Sequence, residues 1–182
     1  MDSWKLTTEG QSESGLKISR VVTHGVFALD GGEWEVDNNI WVIGDDSECI
    51  IIDAAHTADP IVDAVAGRTV KGIVCTHAHN DHITVAPELA KKLDTRIFVH
   101  PGDQMLWEQT HPGVVHEDLD DGQQFSIADT AMSALTLRAI HRGRAACIFL
   151  RHMSFFPATP YSPVGPVRRA DRFHHSRRLS IR

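Results

Sequence analysis

Apolar and polar positions divide this chain into three regimes. Residues 1–17 are polar and rich in Ser, Glu and Gly, a composition that predicts a loose tail. From Ile18 onward short β-rich runs follow: ISRVVTHGVFAL, then NIWVIG and ECIIID, the last two joined by the turn signal DDS. These predict an antiparallel meander leading into a sheet. After Asp53, apolar residues at Ile61, Val62, Val65 and Ala66 recur at helical spacing, with Pro60 near the start and Gly67 past the end. A strand GIVCT, a histidine-rich loop, a helix TVAPELAKKL and a strand RIFVH come next. Alternation of strand and helix through residues 48–100 predicts βαβ units and a mostly parallel sheet. LTLRAI and AACIFL are two further strands, and beyond Leu150 the periodicity fails.

At 182 residues the chain is long enough for one domain with a proper core. Its 42% apolar and 23% charged residues are ordinary for a globular protein and exclude collagen-like, coiled-coil and wholly disordered classes. No basic segment followed by an apolar one opens the chain, and no stretch has the length to span a bilayer, so the cytoplasm is the expected location and a membrane partner is not expected. Cys49, Cys75 and Cys147 are odd in number and lack CxxC spacing. They suggest small buried hydrophobes rather than disulfides or a cysteine zinc knuckle.

Charge sharpens the third regime. The net −6 is the sum of −11 over residues 1–151 and +5 over residues 152–182, where six Arg face the single Asp171. Pro157, Pro160, Pro163 and Pro166, half of all the prolines, also lie there. Such a tail invites a nucleic-acid reading.

The chemistry concentrates in HAHNDH, which places His77, His79, Asp81 and His82 within six residues, after an apolar strand and before a helix. Imidazole and carboxylate are the natural ligands of zinc and similar divalent ions. If GIVCT is a strand, His77 sits at its carboxyl end, where open α/β sheets collect ligands. Extended spacing brings His77 and His79 to one side, and a turn through Asn80 lets Asp81 and His82 face the same pocket.

HxHxDH, with IIIDAA ending on Asp53, resembles the metallo-β-lactamase superfamily from about Val21 to Leu150. VDNNIW, THAHNDH, VHPGD and THPG are similar to its glyoxalase II-like branch. The resemblance implies an αββα sandwich and one or two zinc ions. His77 and His79 would bind the first ion, and Asp81 and His82 the second. Asp81 would also orient the nucleophile, and Asp53 would support the motif loop from behind the ligands. The plainer alternative for Asp53 is a strand-end turn residue. A metal lowers the pKa of bound water and polarises a carbonyl, so hydrolysis of a small thioester or related ester is the implied activity. A non-catalytic metal-binding or interaction protein of the same fold is the rival reading. Trp41, Trp107 and Phe98 are expected in the core rather than lining a pocket, and His111 in a turn rather than reaching the site.

The resemblance breaks late. The family pattern has a third histidine in a TPGH loop, an aspartate in a GDTLF-like strand end that bridges both metals, and a final histidine. Here LRAIHRGRAACIFL makes His141 a candidate ligand on a loop shortened by four residues, or else a strand-end histidine with no metal nearby. The bridging aspartate is absent from the translated sequence. Reading the codons permitted for Met153–Arg182 from each third base allows VLFSGDTLFPGGPGATGRSFSSFPTIIDS, which restores the GDTLF motif. The expectation is a frame shift near Leu150. Residues 18–150 would then be an incomplete domain with only the N-terminal half of the sandwich intact, and 151–182 an out-of-frame tail that is no nucleic-acid arm. His174 and His175 would have no role.

Overall fold

The computed structural model describes residues 5–11, 16–138 and 144–151. Strands β1 (Lys5–Gln11), β2 (Lys17–Leu29), β3 (Gly32–Gly44) and β4 (Glu48–Ile52) pair antiparallel in chain order. The same sheet then continues in parallel through β5 (Thr69–Val74), β6 (Ile97–Val99) and β7 (Glu117–Asp118). A second sheet stacks β8 (Gln124–Ile127), β9 (Thr130–Arg138) and β10 (Arg144–Arg151) in antiparallel order. The parallel pairs require crossovers, and the helices α1 (Asp59–Val65), α2 (Asn80–Ile83), α3 (Ala86–Lys92) and α4 (Gln104–Thr110) lie in those connections.

Two features depart from the sequence expectation. Within the segment expected to be a loose tail, residues 5–11 form β1 on the open edge of β2, with a register shift between Thr8 and Gly10. Polar composition argues against a core, yet an edge strand needs mainly a row of unpaired N–H and C=O groups to pair with, and the long β2 offers one. The second departure is the length of β3. Its charged first half, GEWEVDNN, pairs in full with β2 from Leu29↔Gly32 onward. Asp30 (φ 49°) and Gly31 (φ 80°) close that hairpin in the left-handed conformation at both central positions, the turn that matches strand twist.

Burial explains the layering. The strands between helices and second sheet are apolar on both faces, as a covered sheet requires. On the helix side Val21, Ile40, Val42, Ile51 and Ile73 pack with Ile61, Leu89 and the fully buried Trp107. On the other face Ile43, Ile50, Ile52, Val74 and Phe98 meet Phe125, Ile127, Met132 and Ala134 of the second sheet. Trp107 and Phe98 are thus core, while Trp41 is partly buried against the inter-sheet cluster. Described residues therefore build a helix layer, a mixed sheet and a second sheet. Glu48 ties the two sheets: its Oε1 accepts from the Ala128 amide at 2.7 Å, and Oε2 lies 2.8 Å from Lys71 Nζ.

Candidate metal centre

The site is built where β4 and β5 end side by side. Their register pairs Ile52 with Val74, so Asp53 and the Cys75–Thr76 exit emerge together. Backbone bonds lock the two exits: Asp53 N–H donates to the Val74 carbonyl at 3.0 Å, Ala54 N–H to His82 at 2.8 Å and Val85 N–H to Ala54 at 3.0 Å. The 77–82 loop is therefore held at the carboxyl end of the sheet, with α2 starting inside it at Asn80. His111 acts on this loop too, its Nε2 2.8 Å from the Ile83 carbonyl at the end of α2 and its ring against Trp107.

Asp53 is 4% exposed and adopts φ 66°, a left-handed conformation that Asp tolerates better than most side chains. Its Oδ1 accepts from the Thr76 amide at 2.7 Å, the Thr76 hydroxyl stands 3.0 Å from Oδ1 and 2.9 Å from Oδ2, and Oδ2 lies 2.9 Å from His82 Nδ1.

The motif histidines share one patch. The His77 ring stands 4.1 Å from His82 and 4.8 Å from His79, centroid to centroid. Phe27 of the β2–β3 hairpin closes on His79 at 5.4 Å. Asn80 fastens that hairpin to the loop, donating to the Val26 carbonyl at 2.9 Å and accepting from the Ala28 amide at 3.0 Å. Burial, reinforced by the nearby His82 charge, lowers the His77 pKa to about 4, so its ring is neutral at pH 7. For His82 burial pulls the same way, but the hydrogen bond and charge of Asp53, with the charge of Asp81, outweigh it and raise the pKa.

Asp81 is 8% exposed. Its Oδ2 accepts from Asn38 Nδ2 at 2.9 Å and lies 3.5 Å from His82 Nε2, whereas its Oδ1 is buried with no hydrogen-bond partner. A carboxylate oxygen without a partner is costly. A divalent cation would satisfy it, and imidazole and carboxylate are the donors such an ion takes, so the donor set fits a zinc-like ion. Among the described residues, however, no three His, Cys, Asp or Glu side chains stand arranged to hold an ion. His82 turns Nδ1 to Asp53, and His77 Nδ1 lies 3.1 Å from the Thr76 hydroxyl. The donors are collected but not converged. His141 lies outside the described residues, as do residues 152–182 of the tail expected to be out of frame.

Sequence reasoning passed over Asn38, whose signal was present. Along β3, Asn38, Ile40 and Val42 share the buried phase, and a carboxamide in an apolar phase needs a polar partner.

A sandwich of this layering with a histidine–aspartate loop at the carboxyl ends of its parallel strands defines a class. The family model of the metallo-beta-lactamase superfamily matches residues 34–149, and the chain belongs to that superfamily, whose members are hydrolase-like and generally bind metal ions. Its curated relatives include an uncharacterized 11.5 kDa protein in the thcD 3′ region of Rhodococcus erythropolis, 52% identical over 42 residues that cover 23% of this chain and 40% of that one. Another is the hydroxyacylglutathione hydrolase of Aliivibrio fischeri, 27% identical over 115 residues, covering 62% of this chain and 43% of the relative. Matched stretches thus span about two fifths of these relatives' lengths. Among solved structures, a metallo-beta-lactamase from Pontibacter korlensis superposes with a TM-score of 0.61 at 14% identity, over 80% of this chain and 67% of that one, a likeness of fold. No helix among the described residues is long and apolar enough to cross a membrane.

Proposed function

We propose that this chain is a metal-dependent hydrolase of a small thioester or related ester, with zinc as the metal. The observation that carries it is the unpartnered buried Oδ1 of Asp81 beside the His77–His79–His82 ring cluster. The similarity to hydroxyacylglutathione hydrolases supports a thioester as the substrate class. His77, His79, Asp81 and His82 would hold the metal, together with His141 of the 139–143 segment. A bound divalent ion contributes Lewis acidity, making water nucleophilic at neutral pH and polarising the substrate carbonyl. The residues do the rest: Asp81 orients the attacking water, Asp53 fixes the ring of His82, and Phe27 packs its ring against His79.

We propose further that residues 18–150 form an incomplete domain and that the frame shifts near Leu150, which removes the bridging aspartate. Metal affinity is then weak, and tight binding of two zinc ions per chain in a calorimetric titration contradicts this. The partner is a small molecule rather than nucleic acid, and the cytoplasm is the proposed location. One observation favours a second reading, a non-catalytic metal-binding remnant: the described donors do not converge. Thioester hydrolysis separates the two. Activity abolished by His79→Ala supports the hydrolase, and no activity at any zinc concentration supports the remnant.

A further inference from the structure

Asn38, deep on β3, faces both ways. Its Nδ2 donates to Asp81 Oδ2 at 2.9 Å, and its Oδ1 lies 3.4 Å from His56 Nε2. A carboxamide has distinct donor and acceptor ends, so donation to Asp81 leaves Oδ1 as the end presented to His56. His56 must then carry its proton on Nε2, and burial lowers its pKa, which favours the neutral ring.

The surroundings commit backbone to this chain of contacts. His56 holds φ 56°, a left-handed conformation unfavourable for a side chain with a Cβ. Its ring occupies the space of a missing side chain on β2, since a Cβ on Gly25 would stand 2.2 Å from His56 Nδ1. The adjacent loop is pinned as well, with Thr23 Oγ1 donating to the Ala55 carbonyl at 3.1 Å. A strained residue, a glycine that leaves room for its ring and a buried carboxamide thus stand in line behind one oxygen of one carboxylate, which also lies 3.5 Å from His82 Nε2.

We infer that Asn38 is a positioning residue for Asp81, backed by His56: it holds Oδ2 and thereby leaves Oδ1 as the oxygen free to ligate. This rests on the metal-site reading above for its purpose, but the hydrogen bond itself does not. Such outer partners commonly carry 10–100-fold of metal affinity.

The test uses the full chain and three variants. Asn38→Leu keeps the branched heavy-atom outline and removes both polar ends, His56→Ala removes the backing ring, and Gly25→Ala displaces it. Zn²⁺ affinity is read by competition with a chromophoric chelator, site geometry by the Co²⁺ absorption spectrum, and folding by the thermal midpoint. The Asn38 carboxamide protons are followed by NMR in metal-free protein. Expected results are protected Asn38 protons in the wild type, affinity about 10–100-fold weaker in Asn38→Leu with an altered Co²⁺ spectrum, and smaller losses in the same direction for His56→Ala and Gly25→Ala. Wild-type affinity and spectrum in a folded Asn38→Leu variant overturn the inference. If the wild type binds neither ion at millimolar concentration, the metal reading fails. The positioning claim then stands on protected Asn38 protons that lose protection in Asp81→Ala, and falls if they exchange as freely as those of an exposed asparagine.

Discussion

Asp53 and Thr76, on adjacent parallel strand exits, are joined twice: Oδ1 takes the Thr76 amide at 2.7 Å, and the Thr76 hydroxyl stands between both oxygens, 3.0 Å from Oδ1 and 2.9 Å from Oδ2. Oδ2 also meets His82. A single buried side chain therefore holds the beginning and the end of the histidine loop. Asp53→Ala is expected to cost about 1–3 kcal/mol, because it leaves the Thr76 amide unpaired. It is also expected to weaken metal binding about 10–100-fold. Urea midpoints and chelator competition measure the two effects separately.

Asn80 links the loop to the β2–β3 hairpin through paired bonds to Val26 and Ala28. Asn80→Ala should cost about 1 kcal/mol, since these bonds are solvent-exposed. Hydrogen exchange at the Ala28 amide should accelerate, while amides in β4 and β5 remain unchanged.

The clamp between the sheets predicts a pH dependence. Hydrogen bonding to Lys71 and then to the Ala128 amide lowers the Glu48 pKa below its ordinary 4.5. A depressed folded pKa means that the stabilisation is fully present above pH 4.5 and is lost as pH falls through the folded value. Glu48→Gln should be less stable than wild type at pH 7, and the difference should shrink as pH falls below 4.5. Denaturant titrations across that range give the comparison.

Much of the fold was legible because local signals agreed. The apolar runs of β4, β5 and β6, the helical spacing after Pro60 and the HAHNDH cluster each pointed to the same α/β plan. The first half of β3 was not read as strand because Glu33, Glu35 and Asp37 are exposed polar residues without a core face, although Asp30–Gly31 marked its turn. β1 forms by edge pairing, which leaves no mark on composition. In the site, spacing exposed the candidate ligands but not their supports. Asn38 and Asp81 are 43 residues apart, and their bond exists only after the sheet and loop have met.

The frame proposal is checked on nucleic acid. Resequencing across the codons for residues 138–155 is expected to reveal an inserted or deleted base that, once corrected, restores GDTLF downstream. An uninterrupted frame refutes it.

Hydrolysis of a generic thioester by the purified chain tests the central claim most directly, measured after chelation, after zinc is restored, and in His79→Ala. The account predicts background rates in the chelated protein, recovery that rises with zinc concentration in the wild type, and no recovery in the variant. Hydrolysis that persists unchanged through chelation and through His79→Ala contradicts it.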